Sequence, residues 1–443
     1  MVFWRESRHY LWVFLCILIA IHPAGALVER WNISIAGISD VASADDGSRV
    51  IVGTNTGNAM VFDQNGTLLW ETRVPGTVLV GCVGNGSSFL VASREGVENN
   101  KGAVRLFDGT GNVVWFRNTG WPMALDLCQS TGRILIGDRA GNLQVINQSG
   151  GEEAIFNDFP KSYPIAALSL SGDGKYFAYT LMERNTQVRY ITVSSASKKA
   201  FQKAYTATST YADNEPVNRI VVSGDGAYVA TAGGEGSHGI LRLYARNGTL
   251  LWSKDTGQLT DIALSPDSSR IYTATRDGLV SCYSQSGNLS WEYSSPACIG
   301  SISLASGENL LASGSLDGDL CLFNESGTLL WHCRITDFPT GAVSRVELSD
   351  QGNALVALSN EKRIRYFVEE TEPGVEAVCS EYPLENTTSI LQVDDANRTL
   401  QVSDEKTSPC SLYWFPTEGF WLPELGNTFN SFQGLSLTSS GGE

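Results

Sequence analysis

A ten-residue phrase returns five times along the chain, at Val61–Trp70 (VFDQNGTLLW), Leu106–Trp115 (LFDGTGNVVW), Leu243–Trp252 (LYARNGTLLW), Cys282–Trp291 (CYSQSGNLSW) and Leu322–Trp331 (LFNESGTLLW). Each copy reads as a β-hairpin: an apolar strand, a polar turn with Gly, and a second strand carrying Trp. Degenerate copies put Phe156 and Phe201 in the Trp position, and from Trp31 onward the equivalent positions recur every 39 to 51 residues. Between each Trp and the next hairpin lies a second phrase, such as Ile262–Thr275 (IALSPDSSRIYTAT), which supplies two more short strands around a Ser/Asp/Gly turn. Four strands per repeat of about forty residues, without helical periodicity, specify the blades of an all-β propeller.

Blade count follows from the ends of the array. The last copy has three strands, finishing at Arg363–Val368, with no Trp strand after it, whereas Val28–Ile35 supplies a Trp strand with no hairpin before it. The first strand should therefore complete the last blade, closing an eight-bladed ring and removing its open sheet edge. A seven-bladed ring, with the degenerate copy at 163–204 left out, is the alternative. The boundaries expected are a signal peptide over 1–26, the propeller over 27–370 and a small C-terminal extension over 371–443.

These phrases resemble the WD40-like and PQQ-like (quinoprotein-type) propeller repeats, the latter particularly in the FD-x-x-G-x-L-L-W strand. The chain also looks like exported cell-surface propellers of archaea. The resemblance implies a fold that hosts dehydrogenases, outer-membrane assembly factors and plain scaffolds, so function has to be argued from sites. Quinoprotein enzymes carry a vicinal disulfide against the quinone, and no Cys-Cys pair occurs here. Their metal-ligand set beside a catalytic Asp cannot be placed on this sequence either.

The first 26 residues read as an export signal. Arg5 and Arg8 precede a twelve-residue apolar run, Tyr10–Ile21, and Ala24-Gly25-Ala26 offers a small-x-small cleavage site. The run is short of the roughly 20 residues that a membrane span needs. Nine Asn-x-Ser/Thr sequons follow, at Asn32, Asn65, Asn85, Asn147, Asn247, Asn288, Asn324, Asn386 and Asn397. They are expected on exposed loops as possible glycosylation sites, although Asn-Gly-Thr is also good turn chemistry. A formal net charge of −16 without a basic run argues against nucleic acid, whose affinity comes largely from phosphate neutralisation, and against anionic lipid.

Little catalytic chemistry is on offer. Of four histidines only His238 and His332 lie beyond the signal, too few for a His-rich metal site. No G-x-S-x-G elbow occurs, and the Asp-Gly turns lack calcium-loop spacing. No pair of cysteines has C-x-x-C spacing. Cys321 and Cys333 occupy two arms of one hairpin and, by a period of two, should share a face and a possible disulfide. Cys379 with Cys410 is a second possible pair, outside the ring. The docking positions Trp31, Trp70, Trp115, Trp252, Trp291 and Trp331 are read as packing between blades.

Counting back from each Ser/Asp/Gly turn, one inner-strand position holds Asp40, Leu79, Leu125, Ala167, Arg219, Asp261, Ser301 and Arg345 in successive blades. Opposite charges on neighbours suggest two channel ion pairs, Arg219 with Asp261 and Arg345 with Asp40 across the closure, with a structural role favoured over a ligand. Two regions depart from the repeat: Lys203–Pro216, read as a long loop, and the tail aromatics Tyr413-Trp-Phe-Pro and Phe420-Trp-Leu-Pro, which either dock a partner or pack on the propeller's side. The reading is a non-catalytic exported binding or scaffold module at the cell surface. It needs no cofactor or metal, and its protein or glycan partner is unknown. A PQQ-dependent oxidoreductase and an envelope-protein assembly factor are the alternatives.

Overall fold

The computed structural model describes, within the ring, residues 27–96, 100–157, 164–182, 188–195, 199–206, 219–235, 238–335, 342–359 and 362–369, and beyond it only six short strands. The chain divides into two units, Met1–Glu369 and Glu370–Glu443.

Thirty-two strands of the first unit form eight four-stranded antiparallel sheets, so the propeller has eight blades. The innermost strands are Ile38–Ser43, Val78–Val83, Pro122–Cys128, Ile165–Leu170, Arg219–Val222, Leu259–Leu264, Ile299–Ala305 and Val343–Leu348. Blade eight is completed by Leu27–Ser34, which pairs with Arg363–Glu369 in a register that sets Trp31 opposite Tyr366. The ring is thus closed by its own first strand. Two-strand periodicity would bury one face only, but every blade has neighbours on both sides. Second strands such as Arg49–Thr54 and Ala354–Ser359 are accordingly buried almost throughout.

The recurring turns have a local cause. In the 1–2 turns, Ser171, Ser265 and Ser349 each accept the backbone N–H five residues on, that of Tyr176, Arg270 and Ala354. In the 3–4 turns an Asx oxygen does the same work: Asp63 accepts the N–H groups of Asn65 and Thr67, and Asn324 those of Ser326 and Thr328.

The Trp and the Gly of the repeated phrase explain one another. Gly66, Gly111, Gly150, Gly287 and Gly327 all sit in the left-handed region. A Cβ on any of them would lie within 3.0 Å of the Trp on the preceding blade, respectively Trp31, Trp70, Trp115, Trp252 and Trp291. Each of these indoles therefore lies on the glycine turn of the next blade. Trp115, Trp252 and Trp291 also donate Nε1–H to a carbonyl of that turn, at Gln148, Gln285 and Glu325. Trp331 faces blade eight, whose third and fourth strands share no turn, and packs edge-on against Phe367 instead. At the degenerate third blade, Phe156 meets Phe177 edge-on.

Every described 3–4 hairpin has a bulge. Leu322 pairs with Trp331 but Phe323 pairs with Leu329, which leaves Leu330 as the extra residue. The same shift leaves Leu69, Val114 and Leu251 extra in blades one, two and five.

Blade four differs from expectation in one detail: Lys203–Thr206 belong to its outermost strand, Lys199–Thr206, and not to a loop. The remainder of that segment, 207–218, lies outside the described residues. In the second unit, Ser389–Asp394, Thr399–Asp404, Cys410–Phe415 and Gly419–Trp421 form an antiparallel sheet, and Val375–Ala377 pairs with Leu437–Ser439. Residues 1–26, Cys379, Asn386 and Asn397 lie outside the described residues, as do the side chains of Cys410, His238, Phe201 and the tail aromatics. No helix among the described residues is long and apolar enough to cross a membrane.

Candidate functional site

The inner strands meet around the ring axis, and each exposes one backbone edge that no fifth strand covers. An edge of unpaired N–H groups requires acceptors. Side chains of the preceding blade supply them in two tiers. In the first tier, Asp40 accepts from Val80 N–H at 2.9 Å, Asp261 from Ile302 N–H at 3.1 Å and Ser301 from Val346 N–H at 3.4 Å. In the second tier, two residues further along, Asp126 accepts from Leu170 N–H at 2.7 Å, Ser169 from Val222 N–H at 3.1 Å and Ser303 from Leu348 N–H at 2.9 Å.

The four charges singled out in the sequence lie here. Arg345 donates Nη1–H to Asp40 Oδ1 across the closure, and its Nη2 lies 3.6 Å from Glu347 Oε2. Arg219 Nε donates to Asp261 Oδ1 at 2.9 Å. The carboxylates are well covered, Asp40 at 10% and Asp261 at 15% side-chain exposure, while the guanidinium side chains are nearly half exposed. Asp40 thus holds a guanidinium with one oxygen and a neighbouring backbone with the other, and its field raises the Arg345 pKa. Burial pushes Glu347 above the usual carboxylate range, with Arg345 opposing. Burial also pushes Asp126 up to about 6, although the N–H groups of Leu170 and Leu127 pull the other way.

Two sequence expectations are corrected. In blade three the position equivalent to Asp40 is Ala124, which follows the strand bulge and pairs with Gly137, and not Leu125. The turn has the same length, but its glycine sits one place later, Gly132 N–H reaching back to Cys128 O where Gly47 N–H reaches Ala44 O, so counting back from the glycine lands one residue late. Cys321 and Cys333 are free thiols on opposite faces: Cys321 pairs in register with His332, and Cys333 with Leu320. The Leu330 bulge reverses the parity that a period of two assumes. The one expected disulfide within the described residues therefore has no geometric basis.

Among the described residues, nothing else in the ring is arranged as a reaction centre. Burial pushes the Cys82 thiol to about 12 and those of Cys282 and Cys321 to about 11, away from the thiolate that chemistry needs. His332 Nε2 lies 3.4 Å from Asp319 Oδ1 on an outer hairpin. Among the described residues, no three His, Cys, Asp or Glu side chains gather as a metal set.

Sequence reasoning missed the rim. Outer strands of six blades carry exposed apolar residues past the glycine turn: Leu68 and Leu69 in blade one, Val113, Val114 and Phe116 in blade two, Ile155 in blade three, Leu250 and Leu251 in blade five, Leu289 in blade six and Leu329 in blade seven. The signal was present in the Leu-Leu-Trp and Val-Val-Trp triplets, where strict alternation would bury one residue of each pair. The bulge turns both outward in blades one, two and five. Blade two is the most exposed, with Val113 at 54% and Val114 at 56%, and the Arg105 guanidinium lies over Phe116 at 4.9 Å.

Comparison with solved structures finds the same architecture. The C-terminal WD40 domain of Sif2 aligns with a TM-score of 0.60 at 15% identity over 78% of this chain and 99% of that one. BamB from Moraxella catarrhalis aligns with a TM-score of 0.54 at 13% identity, over 77% and 100%. Sqt1 of Saccharomyces cerevisiae aligns at 0.60 and 11%, over 78% and 99%. These likenesses show the fold. No curated protein matches the sequence significantly. The family model described as Outer membrane protein assembly factor BamB matches residues 18–158 and 236–364, more than half of the sequence, and the chain belongs to that family.

Proposed function

We propose that this protein is an exported, non-catalytic propeller that binds a protein partner at the cell surface, and that the outer strand of blade two, Val113–Thr119, is the surface that does so. The observation that carries the reading is the apolar cluster Val113, Val114 and Phe116. It stands exposed on a rigid sheet edge and is turned outward by a bulge, where a monomeric surface would ordinarily be polar. The described inner strands offer polar caps and ion pairs that hold blades together, and their four charges are read as structural. Export is supported by the sequence of residues 1–26 and by membership of a family whose described member assembles outer-membrane proteins. Surface display of the kind archaeal propellers have rests on sequence resemblance.

The test is proximity capture in the cells that make the protein. A photo-crosslinking residue at Val114 should trap a specific partner, and Val114→Asp with Phe116→Ser should abolish the capture while leaving the melting temperature within about 2 °C, as expected for exposed positions. Capture that persists in that variant removes blade two as the site. A second reading, assistance to the assembly of envelope proteins, is favoured by the family description. It predicts that the protein suppresses aggregation of an unfolded β-rich substrate, and a scaffold with one folded partner does not do this.

A further inference from the structure

The sequons are not scattered over the ring. In an antiparallel blade the 1–2 and 3–4 turns emerge on one face, and the 2–3 turns and blade-to-blade connections on the other. Asn65, Asn147, Asn247, Asn288 and Asn324 lie in 3–4 turns of blades one, three, five, six and seven, and Asn85 lies in the 1–2 turn of blade two. All six are on the same face. The described turns of the other face have asparagines too, including Asn55, Asn100 and Asn142, but none of these turn asparagines has Ser or Thr two residues on. Turn chemistry explains asparagine on both faces; it does not explain a hydroxyl at the second position on one face only.

The side chains separate further. Asn65, Asn85, Asn247 and Asn288 are exposed. Asn147 and Asn324 are half-buried, and their carboxamide oxygens are the acceptors that fold their turns. Asn32 lies within the first strand, opposite Arg365, with its amide donating to Glu29. The exposed rim supplies a second, independent observation. Leu68 and Leu69, Leu250 and Leu251, and Leu289 stand one to four residues after Asn65, Asn247 and Asn288. Blade two, whose 3–4 turn Asp108–Asn112 carries no sequon, leaves Val113, Val114 and Phe116 beside a bare turn.

We propose that Asn65, Asn85, Asn247 and Asn288 are N-glycosylated, giving the propeller one sugar-covered face whose glycans lie over the aliphatic rim of blades one, five and six. The inference rests on the export reading above, since it requires a lipid-phosphate-linked oligosaccharide and its transferase outside the cytoplasm. In the transfer, the Asn Nδ2 attacks the anomeric carbon of the reducing-end sugar. The new C–N bond replaces the sugar–phosphate C–O bond, whose electron pair leaves with the lipid phosphate, and an amide proton passes to a base of the transferase.

Glycopeptide mass spectrometry of the full chain purified from its own cells tests this, together with the mass of its N-terminal peptide. The expected result is a chain beginning near Leu27 with glycans at these four asparagines, each lost singly in Asn65→Gln, Asn85→Gln, Asn247→Gln and Asn288→Gln. A mature chain with the four asparagines bare overturns the glycan face and leaves export standing. A chain that keeps residues 1–26 and stays inside the cell overturns both.

Discussion

Removing the Asp40 carboxylate asks how much the ring depends on one side chain. Asp40 is 10% exposed and uses both oxygens, one for Arg345 across the closure and one for the N–H of Val80 in blade two. Asp40→Ala strands that buried N–H, at about 1–3 kcal/mol. It also leaves the Arg345 guanidinium with Glu347 alone, and stranding a fully buried charge would cost about 3–5 kcal/mol. Arg345 is 43% exposed and keeps part of its hydration, so roughly a third of that figure applies, and the sum expected is about 3 kcal/mol. Arg345→Met keeps the stem, leaves Asp40 its Val80 bond and should cost about 1–2 kcal/mol. The double variant should fall short of additivity by about 1 kcal/mol, because the shared bond is removed only once.

Urea unfolding followed by tryptophan fluorescence is the assay. Trp31 stacks on Tyr366 at 5.1 Å between ring centroids, so the closure contributes to a signal shared by the chain's eleven tryptophans. Arg219→Met is the control, since that pair joins blades five and six without bridging the chain ends. Hydrogen exchange at 27–34 should rise in the Asp40 and Arg345 variants and not in the control. Full additivity of the two closure variants, or an Asp40→Ala protein as stable as the parent, would refute the argument that the pair fastens the ring.

Three further outcomes follow from the geometry. Asp126 holds its proton more tightly folded, near 6, than unfolded, near 3.8, so its contribution is whole below pH about 4 and drains as pH rises through 6, by at most about 3 kcal/mol. Asp126→Asn should flatten the urea midpoint between pH 4 and 6.5, and an unchanged slope there dismisses Asp126 as its source. Gly327→Ala places a Cβ 2.5 Å from the Trp291 ring at a positive φ and should destabilise by about 2–4 kcal/mol, where a loss below 1 kcal/mol would mean that the Trp–Gly contact is loose. Ellman's reagent should leave Cys82, Cys282 and Cys321 unmodified in the native protein and label them after denaturation, and mapping should find no Cys321–Cys333 bridge.

The ring was legible in the sequence because its determinants are periodic. Trp and Gly recur in each phrase for a single reason, the indole lying on the next blade's turn, and Trp31 without a hairpin announced the closure. Positions that depend on insertions of one residue were not legible. The bulge at Leu330 reversed the cysteine parity, and a glycine one place later in its turn, Gly132, moved the count from Ala124 to Leu125. The second tier of caps, Asp126, Ser169 and Ser303, was missed because a short polar residue near a turn carries no mark of the neighbouring blade's N–H. The apolar rim escaped for the same reason as the cysteines.

Closing the ring with its first strand also sets a timetable. Leu27–Ser34 leaves the ribosome before everything it contacts, yet its partner strand, Arg363–Glu369, is made more than three hundred residues later. Until then Trp31 lacks the Tyr366 stack, and Arg345 and Asp40 remain on separate ends of an open chain. The blades can form one after another during synthesis, but the final clasp has to wait for the chain's far end. A polypeptide threaded outward as it is made would therefore reach the far side of a membrane with its ring unsealed. Any truncation that reaches residue 363 would leave both termini unclasped at once.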